Sequence, residues 1–457
     1  MSMNKKSSKR DAKNGRTAAG AKPSEEAMDR LVGQFNSGQL PAAEIEARRL
    51  MEQYKRMPEL YNMLGMILTG QSKLNEAVDC YRQVLKIKPN AVGALINLGN
   101  VYQRLNKLEE VVASFEQVLK INPDIAQVHN NLGAALTLQG KFPEAVDSYR
   151  RALKIQPDYP QAHNNLGNAL RDLGLLAEAK ASFEQALKIK PDNAETFYNL
   201  HTLLLDTADM SSAIRSLESA VKLQPGNANY RLNLGMLLEY CGDAAGAEAH
   251  LQEVEHGSAL DLARLDAWQY IKSAHPAMPK MIGSYLEAFR LGVHAARASG
   301  LVLEFGVRFG TTIRQIAGLV EQQVHGFDSF EGLPEAWHHE QKGSYTTKGV
   351  MPLVPDNVLL HKGWFEDTLP QFIKTHKEPV RFMNIDCDLY SATKTILDTL
   401  AAQIVPGTVI VFDEYIGNEH WREDEYKAFQ EAVSAYGWRY EYLAFSLFTK
   451  QVVVRIL

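Results

Sequence analysis

Residues 91–123 read AVGALINLGNVYQRLNKLEEVVASFEQVLKINP, and residues 125–157 read IAQVHNNLGAALTLQGKFPEAVDSYRRALKIQP. The second stretch repeats the first at a spacing of 34 residues, and the same register runs beyond both. Leucine recurs at Leu64, Leu98, Leu132, Leu166, Leu200 and Leu234. Glycine follows it at Gly65, Gly99, Gly133, Gly167 and Gly235, with His201 standing where the fifth glycine would be. Small or branched residues recur at Ala77, Val111, Ala145, Ala179, Ala213 and Ala247, and rings or leucines at Tyr81, Phe115, Tyr149, Phe183, Leu217 and Leu251. Pro89, Pro123, Pro157, Pro191 and Pro225 close the units. A fixed period of this kind predicts stacked pairs of antiparallel helices. The small residues let the two helices of a pair approach, and a proline past the second helix stops it.

This pattern resembles the tetratricopeptide repeat at almost every signature position, over about residues 58–255, with a degenerate unit before it. The resemblance implies an all-α solenoid whose first helices line a groove. Asn97, Asn131, Asn165, Asn199 and Asn233 recur in register on those helices, with Asn100, Asn130, Asn164 and Asn168 beside them. A primary amide carries one acceptor and two donors, so a ladder of amides suits an extended peptide or protein segment held by its main chain. The plainer reading is that asparagine is common at this repeat position, and the residues alone leave both open. His201 replaces a close-packing glycine and marks local loosening of its helix pair rather than a ligand site.

Beyond the repeats the period changes. Residues 258–299 are helical in pattern, broken by Pro276 and Pro279. Strand-like runs at 300–305, 323–327, 357–361, 380–385 and 408–412 then alternate with helical segments at 311–322, 367–376 and 391–404. Such alternation predicts an α/β doubly wound sheet with right-handed crossovers. Runs at 439–445 and 451–456 read as an antiparallel edge pair. The expected fold is thus an all-α tetratricopeptide solenoid followed by an α/β doubly wound, Rossmann-like domain. The expected boundaries are a disordered basic tail at 1–24, the solenoid at 25–255, a helical linker at 256–299 and the sheet domain at 300–457.

Composition excludes several classes. A net charge of −5 over 457 residues offers no general attraction to nucleic acid. No stretch reaches the roughly 18 apolar residues of a membrane span, and no hydrophobic signal segment opens the chain. Cys80, Cys241 and Cys387 lie far apart, without metal spacing, and read as free thiols in a reducing, cytoplasmic setting.

Two strand-like runs end in carboxylates, IDCD at 385–388 and FDE at 412–414. Ligands collect outside the carboxyl ends of parallel strands, so Asp386, Asp388, Asp413 and Glu414 share one crevice. Grouped carboxylates repel and need a cation, a proton or an electropositive substrate between them. The first sheet turn, EFGVRFGTT at 304–312, brings glycines to a strand tip, and Asp328 ends the next strand 24 residues after Glu304. The acid before the glycines resembles the class I S-adenosylmethionine methyltransferases. Four blocks sharpen the likeness: FDSFEGLP at 327–334, KGWFEDTLP at 362–370, IDCDLYS at 385–391 and FDEY at 412–415. Together they resemble the macrocin O-methyltransferase family, whose members methylate sugar hydroxyls and use magnesium.

The resemblance implies S-adenosylmethionine held by Glu304, Gly306, Gly310, Thr311, Asp328 and Ser329. It implies Mg2+ on Asp386, Asp413 and Glu414, where Glu414 departs from the family's second aspartate. A cation so held would lower the pKa of an acceptor hydroxyl, and Asp386 or Asp388 would take its proton. His420 is a rival base, and a helix N-cap is the rival role for Asp388. Trp337, His338 and His339 sit in a long segment that reads as a lid, and Trp364 and Trp421 read equally as cavity wall or core. The expected function is a magnesium-dependent O-methyltransferase acting on a sugar or glycan hydroxyl, with a peptide- or protein-binding array. The alternative is an interaction scaffold whose methyltransferase-like domain is inactive. A glycosyltransferase ranks last, because a single doubly wound domain follows the repeats.

Overall fold

The computed structural model describes residues 23–274 and 278–457. Residues 1–22 of the expected basic tail lie outside them. Within them Ser24 Oγ accepts a hydrogen bond from the Ala27 N–H and caps the first helix.

Helices α1 (Glu25–Asn36), α2 (Leu40–Gln53), α3 (Pro58–Gly70), α4 (Leu74–Ile87), α5 (Val92–Arg104), α6 (Leu108–Ile121) and α7 (Ala126–Leu138) come first. Helices α8 (Phe142–Ile155), α9 (Pro160–Asp172), α10 (Leu176–Ile189), α11 (Ala194–Asp206), α12 (Met210–Leu223), α13 (Ala228–Tyr240), α14 (Ala244–Val254) and α15 (Ala259–Ala274) continue the solenoid. The glycine-to-ring spacing in the sequence is a packing relation. A Cβ on Gly65, Gly99 or Gly167 would lie 2.7 Å from the ring of Tyr81, Phe115 or Phe183 respectively. The ring of the second helix therefore rests on the bare backbone of the first. Ala77, Ala145, Ala179 and Ala213 are fully buried in the same seams. Helix α15 joins the stack through Trp268, whose indole N–H donates to Glu239 at 2.7 Å.

The chain separates into two compact units, residues 1–135 and 136–457. The second holds helices α8 onward together with an eight-stranded sheet. Its strands are β1 (Lys280–Met281), β2 (Leu301–Phe305), β3 (Val324–Asp328), β4 (Val358–Lys362), β5 (Val380–Ile385), β6 (Val409–Phe412), β7 (Tyr440–Phe445) and β8 (Val452–Ile456). Their order is β1-β7-β8-β6-β5-β2-β3-β4. Strands β2 to β6 are parallel, and β8 runs antiparallel to both β6 and β7. The expected antiparallel pair is present but is not an edge, since β1 pairs with β7 outside it. Helices α16 (Tyr285–Ala295), α17 (Thr311–Ala317), α18 (Phe365–Thr375), α19 (Tyr390–Leu400) and α20 (Glu425–Tyr436) complete the domain. Helix α17 stops at Gly318, short of the expected residue 322. Helix α16 packs on the sheet, with Gly292 admitting Phe382.

Inside the second unit the sheet domain rests on the first helices of the repeats. The Gly283 N–H donates to Asp206 at 2.7 Å, and Gln315 Nε2 donates to the Asp172 carbonyl at 2.7 Å. A Cβ on Gly283 would lie 1.9 Å from the Thr202 carbonyl oxygen, so glycine sets that approach. Phe448, at the tip between β7 and β8, packs 5.6 Å from the Tyr198 ring and 6.4 Å from His201. His201 does more than loosen a helix pair. It is buried, its imidazole bonds to the Tyr198 carbonyl, and its ring edge forms part of the seat for Phe448.

The amides of the ladder bond largely among themselves. Asn199 is buried and donates to Asn164 at 3.1 Å, and Asn233 donates to the Asn229 carbonyl at 2.7 Å and to Tyr198 Oη at 3.3 Å. In the first unit Asn97 donates to Asn62 and Asn131 accepts from Asn130, both at 3.4 Å.

Candidate active site

Strand order reverses between β2 and β5, and a cavity of about 960 Å³ opens at their carboxyl ends. Gly306, Arg308, Asp328 and Ser329 form one wall, and Asp386, Cys387, Asp388 and Leu389 another. Glu414, Asn418, His420 and Lys450 form a third, under Trp337, His338, Tyr345 and Trp364. The expected site residues Gly306, Asp328, Ser329, Asp386, Asp388 and Glu414 are thereby gathered. Glu304, Gly310, Thr311 and Asp413 do not line the cavity.

Gly306 leaves β2 at φ +94°, and a Cβ there would lie 1.6 Å from the Asp386 carbonyl oxygen. The residue that follows β2 therefore has to be glycine for β5 to run beside it. Glu304 is fully buried, one carboxyl oxygen bonded to the Thr312 hydroxyl and the other without a partner. Burial pushes its pKa well above the ordinary carboxyl range. Asp328 accepts the N–H of Arg308 at 2.7 Å and of Phe330 at 2.6 Å. It thus shapes both loops of the crevice before it meets any ligand. Ser329 Oγ accepts the Glu331 N–H at 3.1 Å. Gly310, at φ +75°, faces Pro352, and Thr311 Oγ1 lies against Gly140 in the turn after α7.

The acids at the tips of β5 and β6 raise one another. Burial, then the charges of Asp388 and Glu414, push Asp386 up to about 8. Burial and the Glu414 charge push Asp388 up to about 7, while Lys450 and Arg308 pull it down. Asp413 lies well above the usual range from burial, then from Asp386 and Glu414. Glu425, fully buried at the start of α20, is also well above its usual value, chiefly from burial. One of its oxygens takes the Glu414 N–H at 3.2 Å. Asp388 is not the cap of α19. Leu389 holds that position, and Asp388 takes φ +62° at the cavity wall.

His420 stacks on His338 with ring centroids 4.1 Å apart. His338 Nε2 lies 2.9 Å from buried Asp424 and the Trp337 indole donates to the same oxygen at 3.2 Å. These bonds tie the segment between β3 and β4 to the turn before α20. Trp364 lines the cavity, whereas Trp421 is core, 2 % exposed. Glu425, Asp424 and Lys450 escaped sequence reasoning because no spacing links them to the strand tips.

Asp386, Asp413 and Glu414 have the oxygen ligands that Mg2+ prefers. Their positions do not fit it. Lys450 Nζ lies 2.9 Å from each carboxyl oxygen of Glu414, Asp413 and Asp386 bond to each other, and among the described residues no three acids, histidines or cysteines converge as ligands.

Known protein families match both parts of the chain. A methyltransferase domain family matches residues 303–415. Tetratricopeptide repeat families match 65–106 and 135–174, 92–125 and 160–193, and 198–261. The 8-demethyl-8-(2,3-dimethoxy-alpha-L-rhamnosyl)-tetracenomycin-C 4'-O-methyltransferase of Streptomyces olivaceus is 30% identical, over 25% of this chain and 53% of that protein. The chain thus spans about half the length of this curated relative. Among solved structures, a tetratricopeptide repeat protein from Parabacteroides merdae has a TM-score of 0.44 at 18% identity, covering 50% of this chain and 91% of that one. Pseudomonas aeruginosa pilF has 0.41 at 21%, covering 48% and 97%. Likeness at this level carries no argument about function. The chain carries tetratricopeptide repeats followed by a methyltransferase domain.

Proposed function

We propose that the sheet domain transfers the methyl group of S-adenosylmethionine to a hydroxyl, on a sugar or glycan, and that the repeats engage a peptide or protein. The observation that carries the reading is the crevice at the β2–β5 reversal, where the Gly306 turn meets Asp328 and two carboxyls of raised pKa. The crevice fits the cofactor: it is large enough, its glycine tip keeps backbone rather than side chain at the floor, and Glu304 behind it has a buried oxygen without a partner. When bound, the cofactor supplies an electrophilic methyl.

The chain's own residues then divide the work. Asp328 and Ser329 hold the polar part of the cofactor at the end of β3. Asp388, with a pKa of about 7, is part ionised at neutral pH and accepts the acceptor's proton as its oxygen attacks. Asp386, at about 8, keeps its proton more often and serves by bonding to Asp413. The tie between Trp337, His338 and Asp424 closes the lid and keeps water out. The sugar acceptor follows the relative that acts on a rhamnosyl group. We leave Mg2+ out of this reading, since Glu414 is already paired. The three free cysteines fit a reducing compartment, and we place the protein in the cytoplasm; among the described residues no helix is long and apolar enough to cross a membrane.

Incubation with methyl-labelled cofactor and a panel of glycosides tests this. Asp388→Asn is expected to lower kcat by about 100-fold or more while cofactor affinity holds within about threefold. Equal turnover by both proteins would remove Asp388 as the base.

A further inference from the structure

The carboxylate cluster of the cavity already holds a cation. Lys450 lines the cavity and lies 2.9 Å from both carboxyl oxygens of Glu414. Its side chain is 31% exposed and that of Glu414 16%. Asn418 Nδ2 donates to the Glu414 carbonyl at 2.9 Å and fixes the loop around it. The lysine is held in place by more than its ion pair. It sits at φ +62°, a conformation that L-residues seldom adopt, and its carbonyl accepts the Ile416 N–H at 3.3 Å.

The tip that carries Lys450 is seated on the repeats. Two residues earlier, Phe448 lies against Tyr198 and His201, with the Arg171 guanidinium 5.9 Å above its ring. His201 is the residue that breaks the glycine register of the array. Glycine there would leave one wall of the Phe448 seat unfilled. The irregular repeat, the half-buried phenylalanine and the paired lysine are therefore parts of one arrangement.

We infer that Lys450, seated by the repeats through Phe448, is the resident cation of this carboxylate cluster, and that the site takes no divalent metal ion. The inference rests on the reading of this cavity as the methyl-transfer site only for its catalytic consequence. There, an ammonium that bonds Glu414 keeps a further N–H to offer an acceptor oxygen, and it stabilises negative charge developing on that oxygen. A divalent ion on Glu414 would have to displace Lys450 and stand beside its like charge.

The test is calorimetric titration of the full chain with MgCl2 alone, at millimolar concentration. The wild type and Lys450→Arg are expected to take up none, and Lys450→Met one equivalent. Phe448→Ala, which frees the tip without removing a charge, is expected to admit the ion as well. Uptake of one equivalent by the wild type would overturn the inference, as would silence from a Lys450→Met protein that melts like the wild type. Silence from Phe448→Ala alone would overturn the part assigned to the repeats. If Lys450→Met does not fold, the wild-type titration still decides. Titration of the same wild-type sample with S-adenosylmethionine, free of metal, keeps the two readings apart. Cofactor binding together with Mg2+ uptake sinks this inference alone, and absence of cofactor binding sinks the methyltransferase reading alone.

Discussion

Stability is expected to fall as pH rises from 6.5 to 8, and Asp386→Asn is expected to remove much of that fall. Asp386 is raised from 3.8 to about 8 and Asp388 to about 7. Over this window the folded chain holds protons that the unfolded chain has released, so the stability these groups confer at low pH is lost as pH climbs through their folded pKa values. At 1.36 kcal/mol per unit, Asp386 alone accounts for about 2 kcal/mol between pH 6.5 and pH 8, less whatever cavity water recovers. Asp413, Glu304 and Glu425, raised chiefly by burial, act in the same direction. Below pH 6.5 two histidines offset part of this slope. His201, held down at about 3, and His325, at about 4, are kept neutral by burial, and their stability is lost as pH falls through 6.5. The five raised carboxyls outnumber these two histidines, so stability goes on rising, less steeply, as pH falls from 6.5 toward the ordinary carboxyl range. Urea unfolding at pH 6.5 and 8 measures the steeper fall. Asparagine at 386 keeps the shape without the proton, so its curve should be flatter and its stability at pH 8 higher than wild type. A wild-type stability that rises to pH 8 would show the cluster to be ionised and satisfied.

Gly306→Val is expected to unfold the sheet domain. The added Cβ would lie 1.6 Å from the Asp386 carbonyl, at a residue with φ +94°. The carbonyl cannot retreat, because the Asp386 N–H donates to Phe305 at 2.9 Å and Phe305 is paired with Ile385 across β2 and β5. The clash and the backbone strain together exceed about 4 kcal/mol. Gly437→Ala is the control: its φ is +67° but nothing lies within 4 Å of the new methyl, so the cost is about 1 kcal/mol. Thermal melts of both proteins separate the two effects. A Gly306→Val protein that melts within a few degrees of wild type would mean that β2 and β5 do not meet as described.

Much of this was legible in the sequence. The repeats announced themselves because each glycine and ring form one contact, so the period of the chain is the period of the packing. The inner strands were legible because a sheet buried on both faces demands apolar runs that end at the ligand crevice. The two-residue β1 was not legible, since so short a strand has no pattern of its own. Lys450 was hidden because an ion pair across 36 residues leaves no spacing to read. For Asp388 the sequence leaves helix cap and catalytic base both open because both roles follow a strand tip, and the structure removes the cap, since Leu389 holds that position. The seat for Phe448 left one trace, the histidine in a glycine register, and its meaning lay in a hairpin far along the chain.

Everything proposed for the sheet domain depends on S-adenosylmethionine binding in the crevice between β2 and β5. Calorimetric titration of the purified full chain, with and without Mg2+, decides the point. One equivalent is expected to bind, equally in both conditions, with a loss of at least about tenfold in affinity on Asp328→Ala, whose carboxyl holds the N–H groups of Arg308 and Phe330 in place. A folded wild-type protein that binds no cofactor in either condition would contradict it and leave an interaction scaffold with an inactive methyltransferase domain.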